Sequence, residues 1–232
     1  MIIGDKLNLH NNPDRLVPNV YFQQAFTASR ELLGNDGFVA VIKHADTILP
    51  GMARYLDEKN WPPANTDLVM PARHYSAFFQ AIEEVGGGRA QMVTIGMKTA
   101  QMGFDGLGTA MKATLSVLKR LPGFRWRAET VLKAMADDLM DVFPGDREMQ
   151  AIRLEIDEEK KAFLFIDRTG DSCHGRNGMH TPVCHVYRGG IIGAVKMATG
   201  KIPNVKESAC MAMGDNACVF EVGFEAEERK EA

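Results

Sequence analysis

The chain has 232 residues, 45% hydrophobic and 25% charged, with a net charge of -3. That is ordinary globular composition, long enough for a sizeable core without disulfide staples. The near-neutral balance gives no general affinity for nucleic acid or acidic lipid. The N-terminus has no basic start and no long apolar core, so it does not read as a signal peptide. No apolar run approaches the roughly 20 residues that span a bilayer. A cytoplasmic protein with reduced cysteines is the expectation, and its four cysteines then read as metal ligands or core thiols rather than disulfides.

The stretch "PNVYFQQAFTASRELLG" reads as an amphipathic helix from Asn19 to Gly34. "GFVAVI", residues 37–42, reads as a short buried strand. "ADTILPGMARYLDEKNW" is helix-like and broken at Pro50-Gly51. "MPARHYSAFFQAIEEVGGG" starts with Pro71 and ends in three glycines, a well-punctuated helix. The next long stretch, 89–124, is mostly helical, and Gly96, Gly103, Gly106 and Gly108 within it imply kinks or close approach of another element. "RWRAETVLKAMADDLMDVF" is a further amphipathic helix.

The character changes near Glu148. "AIRLEI" and "AFLFID" flank a charged turn and read as a hairpin. "GGIIGAVKMATG" is a helix with Gly200 past its end. "CVFEVGF" alternates, with Cys218, Phe220, Val222 and Phe224 on one face. Helices first and antiparallel strands afterwards imply an α+β fold. We expect a single domain over 1–224, helical over 1–147 and hairpin-rich over 148–224, with a charged tail at 225–232.

Cys184, Glu207, Cys210 and Cys218 offer three thiolates and a carboxylate. Zinc favours these donors, and four protein ligands make a closed, structural site. Glu207 and Cys210 are three apart, so they share an ion only from a helical turn or a bulged loop. The turn signature "GDN" at 214–216 can return Cys218 to Cys210. Spacing alone leaves a second reading open, in which three buried cysteines and a surface glutamate bind nothing.

The segment "PVCHVYRGGIIGAVKMATGKIPNVKESACMAMGDNACVFEV" resembles the signature of the 4-vinyl reductase domain family. The match rests on Cys184, Gly190, Gly193, Glu207, Cys210, Gly214, Asp215 and Cys218, and the upstream helices are similar in order and length to the bacteriochlorophyll-biosynthesis branch. The resemblance implies a fold related to TRAPP subunits and nitric-oxide-signalling domains, an antiparallel sheet packed with helices. It also implies structural zinc on Cys184, Glu207, Cys210 and Cys218, a homodimer, and a cavity for an apolar small molecule. Its biosynthetic branch implies a chlorophyllide-like tetrapyrrole and pigment-biosynthesis enzymes as partners. Its sensory branch implies aromatic hydrocarbons.

Cys173, His174, His180 and His185 lie near Cys184 in sequence. One of them replacing Glu207, or Cys173 completing an iron–sulfur cluster, is the alternative. The favoured reading of this Gly- and Asn-rich loop is a polar loop with surface histidines.

Met92, Met97, Met102, Phe104, Met111 and Trp126 are candidate wall residues for the ligand, apolar and adaptable. Arg125 and Arg127 are candidate contacts to ligand carboxylates. No nicotinamide fingerprint, phosphate loop, H-E-x-x-H or G-x-S-x-G motif is present. The expectation is a carrier or accessory protein rather than an enzyme, with a sensor, or a vinyl reductase using an external electron donor, as alternatives.

Overall fold

The structure is a computed structural model, and it describes residues 9–142 and 149–226. Two short strands, β1 (Leu16–Pro18) and β2 (Leu68–Pro71), pair antiparallel. Helix α1 (Asn19–Ile48) leaves β1, and α2 (Ala72–Val85) leaves β2. Then follow α3 (Gly88–Gly106), α4 (Thr109–Arg120) and α5 (Phe124–Val142). The second part holds β3 (Ile152–Asp157), β4 (Ala162–Asp167), α6 (His185–Thr199), β5 (Pro203–Ala209) and β6 (Cys218–Ala226). The fold is α+β. The last strand continues through Glu225 and Ala226, two residues expected in the charged tail, and 227–232 lie outside the described residues.

Two of the local expectations change. Gly34 does not end α1. It breaks the helix at φ 71°, and helical backbone resumes beyond it. The stretch 37–42, expected as a strand, belongs to that second segment. Its buried residues Phe38, Val41, Ile42 and Ala45 recur at helical spacing, which a six-residue window hides and a longer one shows.

α1 and α2 enclose an aromatic core. Phe22, Phe26, Phe38, Tyr55 and Phe78 are buried together, with Trp61 against them. Phe26 and Phe78 meet edge to face with centroids 4.7 Å apart, the arrangement that ring quadrupoles favour.

The four strands run in the order β3-β4-β6-β5, all antiparallel. Phe165 faces Phe220 and Phe163 faces Val222 across β4 and β6. These side chains share one sheet face with Val205 and bury against Ile191 and Val195 of α6 and Leu132 of α5.

α3 joins the two parts. Met92 and Ile95 enter the aromatic core while Val93 and Met97 pack on the sheet side. Its contact with α6 is nearly backbone to backbone. A Cβ on Gly96 would lie 2.0 Å from the Val186 carbonyl oxygen, and one on Gly189 2.2 Å from that of Val93. Gly193 likewise faces Met97 and Ala100. Close approach is the reason for these glycines. Gly103, Gly106 and Gly108 touch nothing comparable.

Candidate metal centre

Four cysteines meet where the sheet, the loop after β4 and the start of α6 come together. Cys173 closes a 3-10 turn at Asp171–Cys173. Cys184 precedes the first turn of α6. Cys210 follows β5, and Cys218 opens β6. Their sulfurs all lie within 4.8 Å of one another, and all four residues are buried. Cys184 Sγ is 3.6 Å from Cys218 Sγ and 3.9 Å from Cys210 Sγ, and Cys173 Sγ is 3.7 Å from Cys218 Sγ. A tetrahedron with zinc–sulfur bonds of about 2.3 Å has sulfur–sulfur edges of about 3.8 Å. This arrangement could hold a metal ion.

The local chain explains the convergence. Asp167 pairs in register with Cys218, so the loop leaving β4 starts beside the opening of β6. The "GDN" turn acts as its sequence suggests. Gly214 takes φ 98°, and Asp215 Oδ2 accepts the Cys210 backbone N–H at 2.8 Å. The turn thereby brings Cys218 back to Cys210. The Met211 N–H donates to Cys218 Sγ at 3.5 Å, a contact that favours thiolate.

Glu207 stands elsewhere from where it was expected. It lies in β5 opposite Phe220, and its Oε2 accepts the backbone N–H of Cys184 at 3.0 Å. Burial, followed by the Cys210 charge, pushes its carboxyl up to about 9. The group of mutually close donors contains Cys173 in its place.

The loop carrying Cys173 also differs from the expectation of a polar loop with surface histidines. Cys173, His174 and His185 are buried, while His180 is exposed. The segment 9–15 holds this loop in place. His10 Nε2 donates to the Arg176 carbonyl at 3.0 Å, and its Nδ1 lies 3.8 Å from Cys173 Sγ. Arg15 forks onto the Asp171 carboxylate at 2.9 and 3.2 Å. His10 is 163 residues from Cys173, and nothing in its sequence neighbourhood signals the contact.

Four thiols this close cannot all ionise unaided. Hydrogen bonding with Cys173 first, and burial after it, hold the Cys184 and Cys218 thiols well above their usual range. Hydrogen bonding from its cysteine neighbours pulls Cys210 down. A bound dication removes this conflict, because coordination deprotonates thiols outright.

Residues 171–224 match the V-4-R domain, that of the 4-vinyl reductase family. All four cysteines fall inside the matched segment. No curated protein matches the chain. Among solved structures, the phenol-responsive sensory domain of the transcription activator PoxR, in complex with phenol, is similar over 57% of this chain and 74% of its own, with 13% identity and a TM-score of 0.23.

The expected wall residues do not share one surface. Met92 is fully buried in the aromatic core, and Met102 packs against its edge. Met97 lies on the sheet side of α3. Phe104 is half-buried, and the Met111 side chain lies outside the described residues. Trp126 is 42% exposed. It ends an open groove of about 440 Å³ along α5, lined also by Glu129, Thr130, Lys133, Ala134 and Asp137.

The two arginines part company as well. Arg125 pairs with Glu158 and lies 3.9 Å over the Phe224 ring. Arg127 is buried and donates to the carbonyls of Gly123, Lys119 and Thr199. It closes the C-terminal ends of α4 and α6, so it is not a free contact for a ligand carboxylate.

A group of tyrosines was missed by sequence reasoning. Tyr187 of α6 stacks on Phe220 with centroids 5.2 Å apart and leans on Phe165 at 6.0 Å. Its hydroxyl is buried and has no hydrogen-bond partner. Burial pushes the phenols of Tyr21, Tyr75 and Tyr187 up, and the Tyr21 charge adds to the effect at both others. α1, α2 and α6 thus bring three phenols to the junction between helices and sheet.

No described helix is long and apolar enough to cross a membrane.

Proposed function

We propose that the protein binds a planar, largely apolar small molecule at the junction of α1, α2 and α6, next to a structural zinc site. The observation that carries this reading is the orphaned Tyr187 hydroxyl. A buried hydroxyl without a partner is destabilised by about 1–3 kcal/mol. A ligand oxygen presented between the three tyrosines would satisfy it. Tyr187 lies three residues after Cys184, so a metal at the four thiols would fix the turn that aims it. The family match, on the segment that supplies this tyrosine, supports a ligand-binding role.

The donors favour zinc over a cluster. Cysteines that end an iron–sulfur cluster bind separate irons with sulfides between them, and so stand farther apart than sulfurs sharing one ion. In this reading Cys173, Cys184, Cys210 and Cys218 hold the ion, and Glu207 positions Cys184 from outside. Zinc here supplies folding energy, and four thiolates leave no open coordination position.

For the ligand, the resemblance to the bacteriochlorophyll-biosynthesis branch favours a tetrapyrrole, carried in the cytoplasm to pigment enzymes. A simple phenol is the second reading, favoured by three hydroxyls converging on a space walled by Phe220 and Phe165. A homodimer is part of the proposal. α4 presents Val117, 59% exposed, and the residue after it, Leu121, 42% exposed, extends the face that a second copy would cover. Titrating the protein with a divinyl chlorophyllide and separately with phenol, following absorbance, tests the ligand. A saturable pigment shift lost in Tyr187→Phe supports the carrier. Saturation by phenol alone selects the sensor. No saturation by either overturns the binding reading.

A further inference from the structure

α3 and α6 run parallel. Gly96 of α3 meets Val186 and Gly189 of α6, and Met97 and Ala100 meet Gly193 farther along. Their N-termini, at Gly88 and His185, therefore lie side by side. Each helix start carries a partial positive charge of about half a unit. The chain enters α3 through Gly86 at φ -100°, ψ 17° and Gly87 at φ 104°, ψ 7°. This right-then-left-handed pair turns successive N–H groups into an anion-accepting concavity.

The side chains around this corner are cationic. Arg176 Nη2 donates to Glu83 at 2.9 Å, and Arg89 Nε stands 3.5 Å from the other Glu83 oxygen. Arg89 Nη2 donates to Thr181 at 2.8 Å, which lays the loop before α6 over the first turn of α3. Arg188 is turned away onto the Val205 carbonyl, and Glu84 onto His44 and Gln80.

Two donors remain without acceptors. Arg176 Nη1 and His185 Nε2 are buried and unpartnered, on residues only 8% and 7% exposed. Both groups sense the same surroundings. Burial lowers the His185 imidazole, Glu83 opposes that, and Arg89, Arg188 and Arg176 lower it further. The unmet hydrogen-bonding need thus sits among positive charges, where the missing partner is an anion rather than a cation. The corner is reachable from solvent, since the Arg89 side chain is 56% exposed and Gly88 is half-exposed at the turn.

We propose that the corner between the N-termini of α3 and α6 binds a phosphate or carboxylate group, held by Arg176 Nη1, His185 Nε2 and the glycine turn, with Arg89 closing it from the solvent side. The anion can be free or the acidic end of a larger molecule. Glu83 shares the same arginines and keeps the affinity modest.

Calorimetric titration of the metal-loaded protein with inorganic phosphate, and in a second arm with acetate, tests this. The expected result is one saturable site per chain for at least one anion. Arg89→Gln weakens it about tenfold or more, the worth of a charge-assisted hydrogen bond, and Glu83→Gln tightens it. Both variants are expected to keep the metal content and circular dichroism of the wild type. The proposal is overturned if neither anion saturates, the outcome expected when water fills the corner. It is equally overturned if binding is the same in both variants as in the parent.

Discussion

Glu207 Oε2 accepts the backbone N–H of Cys184 at 3.0 Å, so the carboxylate holds the chain that presents a thiol to the cluster instead of joining the sulfurs itself. Cys173 is the fourth sulfur. Removing a ligand and removing its support should therefore differ. Cys173→Ser should lose metal as fully as Cys210→Ser and destabilise the fold, since binding energy is folding energy. Glu207→Gln should keep one ion per chain, bound more weakly by about 10- to 100-fold, the usual effect of changing an outer partner. Metal content by elemental analysis, with chelator competition, separates the two cases.

The α3–α6 contact gives a paired test on glycines. Gly96→Ala drives a Cβ to 2.0 Å from the Val186 oxygen, and overpacking of this kind destabilises by about 1–3 kcal/mol or more. Gly190→Ala, in the same helix pair, meets nothing within 4 Å and should be neutral or stabilising by up to about 1 kcal/mol from helix propensity. Denaturant midpoints of the two variants read the difference directly.

His74 sets a pH dependence far from the metal. Its Nδ1 lies 3.1 Å from the Tyr55 hydroxyl, and the neutral ring accepts that O–H. Burial, with Arg54 and Arg73 adding charge repulsion, lowers its pKa from 6.5 to about 4. A depressed folded pKa means that the unfolded chain takes up the proton first. The contribution to stability should be full above 6.5 and fall as pH drops from there towards 4. His74→Gln should flatten that part of the profile, measured as urea midpoint against pH.

The two arginines expected to act together should separate in stability. Arg127→Ala leaves the carbonyls of Lys119, Gly123 and Thr199 without their donor and should destabilise by a few kcal/mol, on the order of 1–3 per orphaned buried group. Arg125→Ala removes an exposed ion pair with Glu158 and should change stability by under about 1 kcal/mol. Thermal melting of both variants checks this.

The strands were legible because alternation is a local signal. "AIRLEI", "AFLFID" and "CVFEVGF" each carry their own face, and β3, β4 and β6 follow them. The stretch 37–42 was not, because six apolar-rich residues fit either period and only Ala45 completes the helical one. Three of the four clustered sulfurs were read from the motif resembling the 4-vinyl reductase signature. The fourth depends on a tertiary fact, the loop from β4 folding beside β6 with His10 and Arg15 holding it, and no spacing encodes that. Arg127 read as a ligand contact because "RWR" shows charge and not the helix ends it closes.

The central claim is that one ion sits among four sulfurs. X-ray absorption at the metal edge of the purified protein measures it most directly. The account predicts zinc with four sulfur neighbours at about 2.3 Å and no oxygen or nitrogen in the inner shell. Three sulfurs with one oxygen would return Glu207 to the metal and contradict it, as would iron with a second iron nearby.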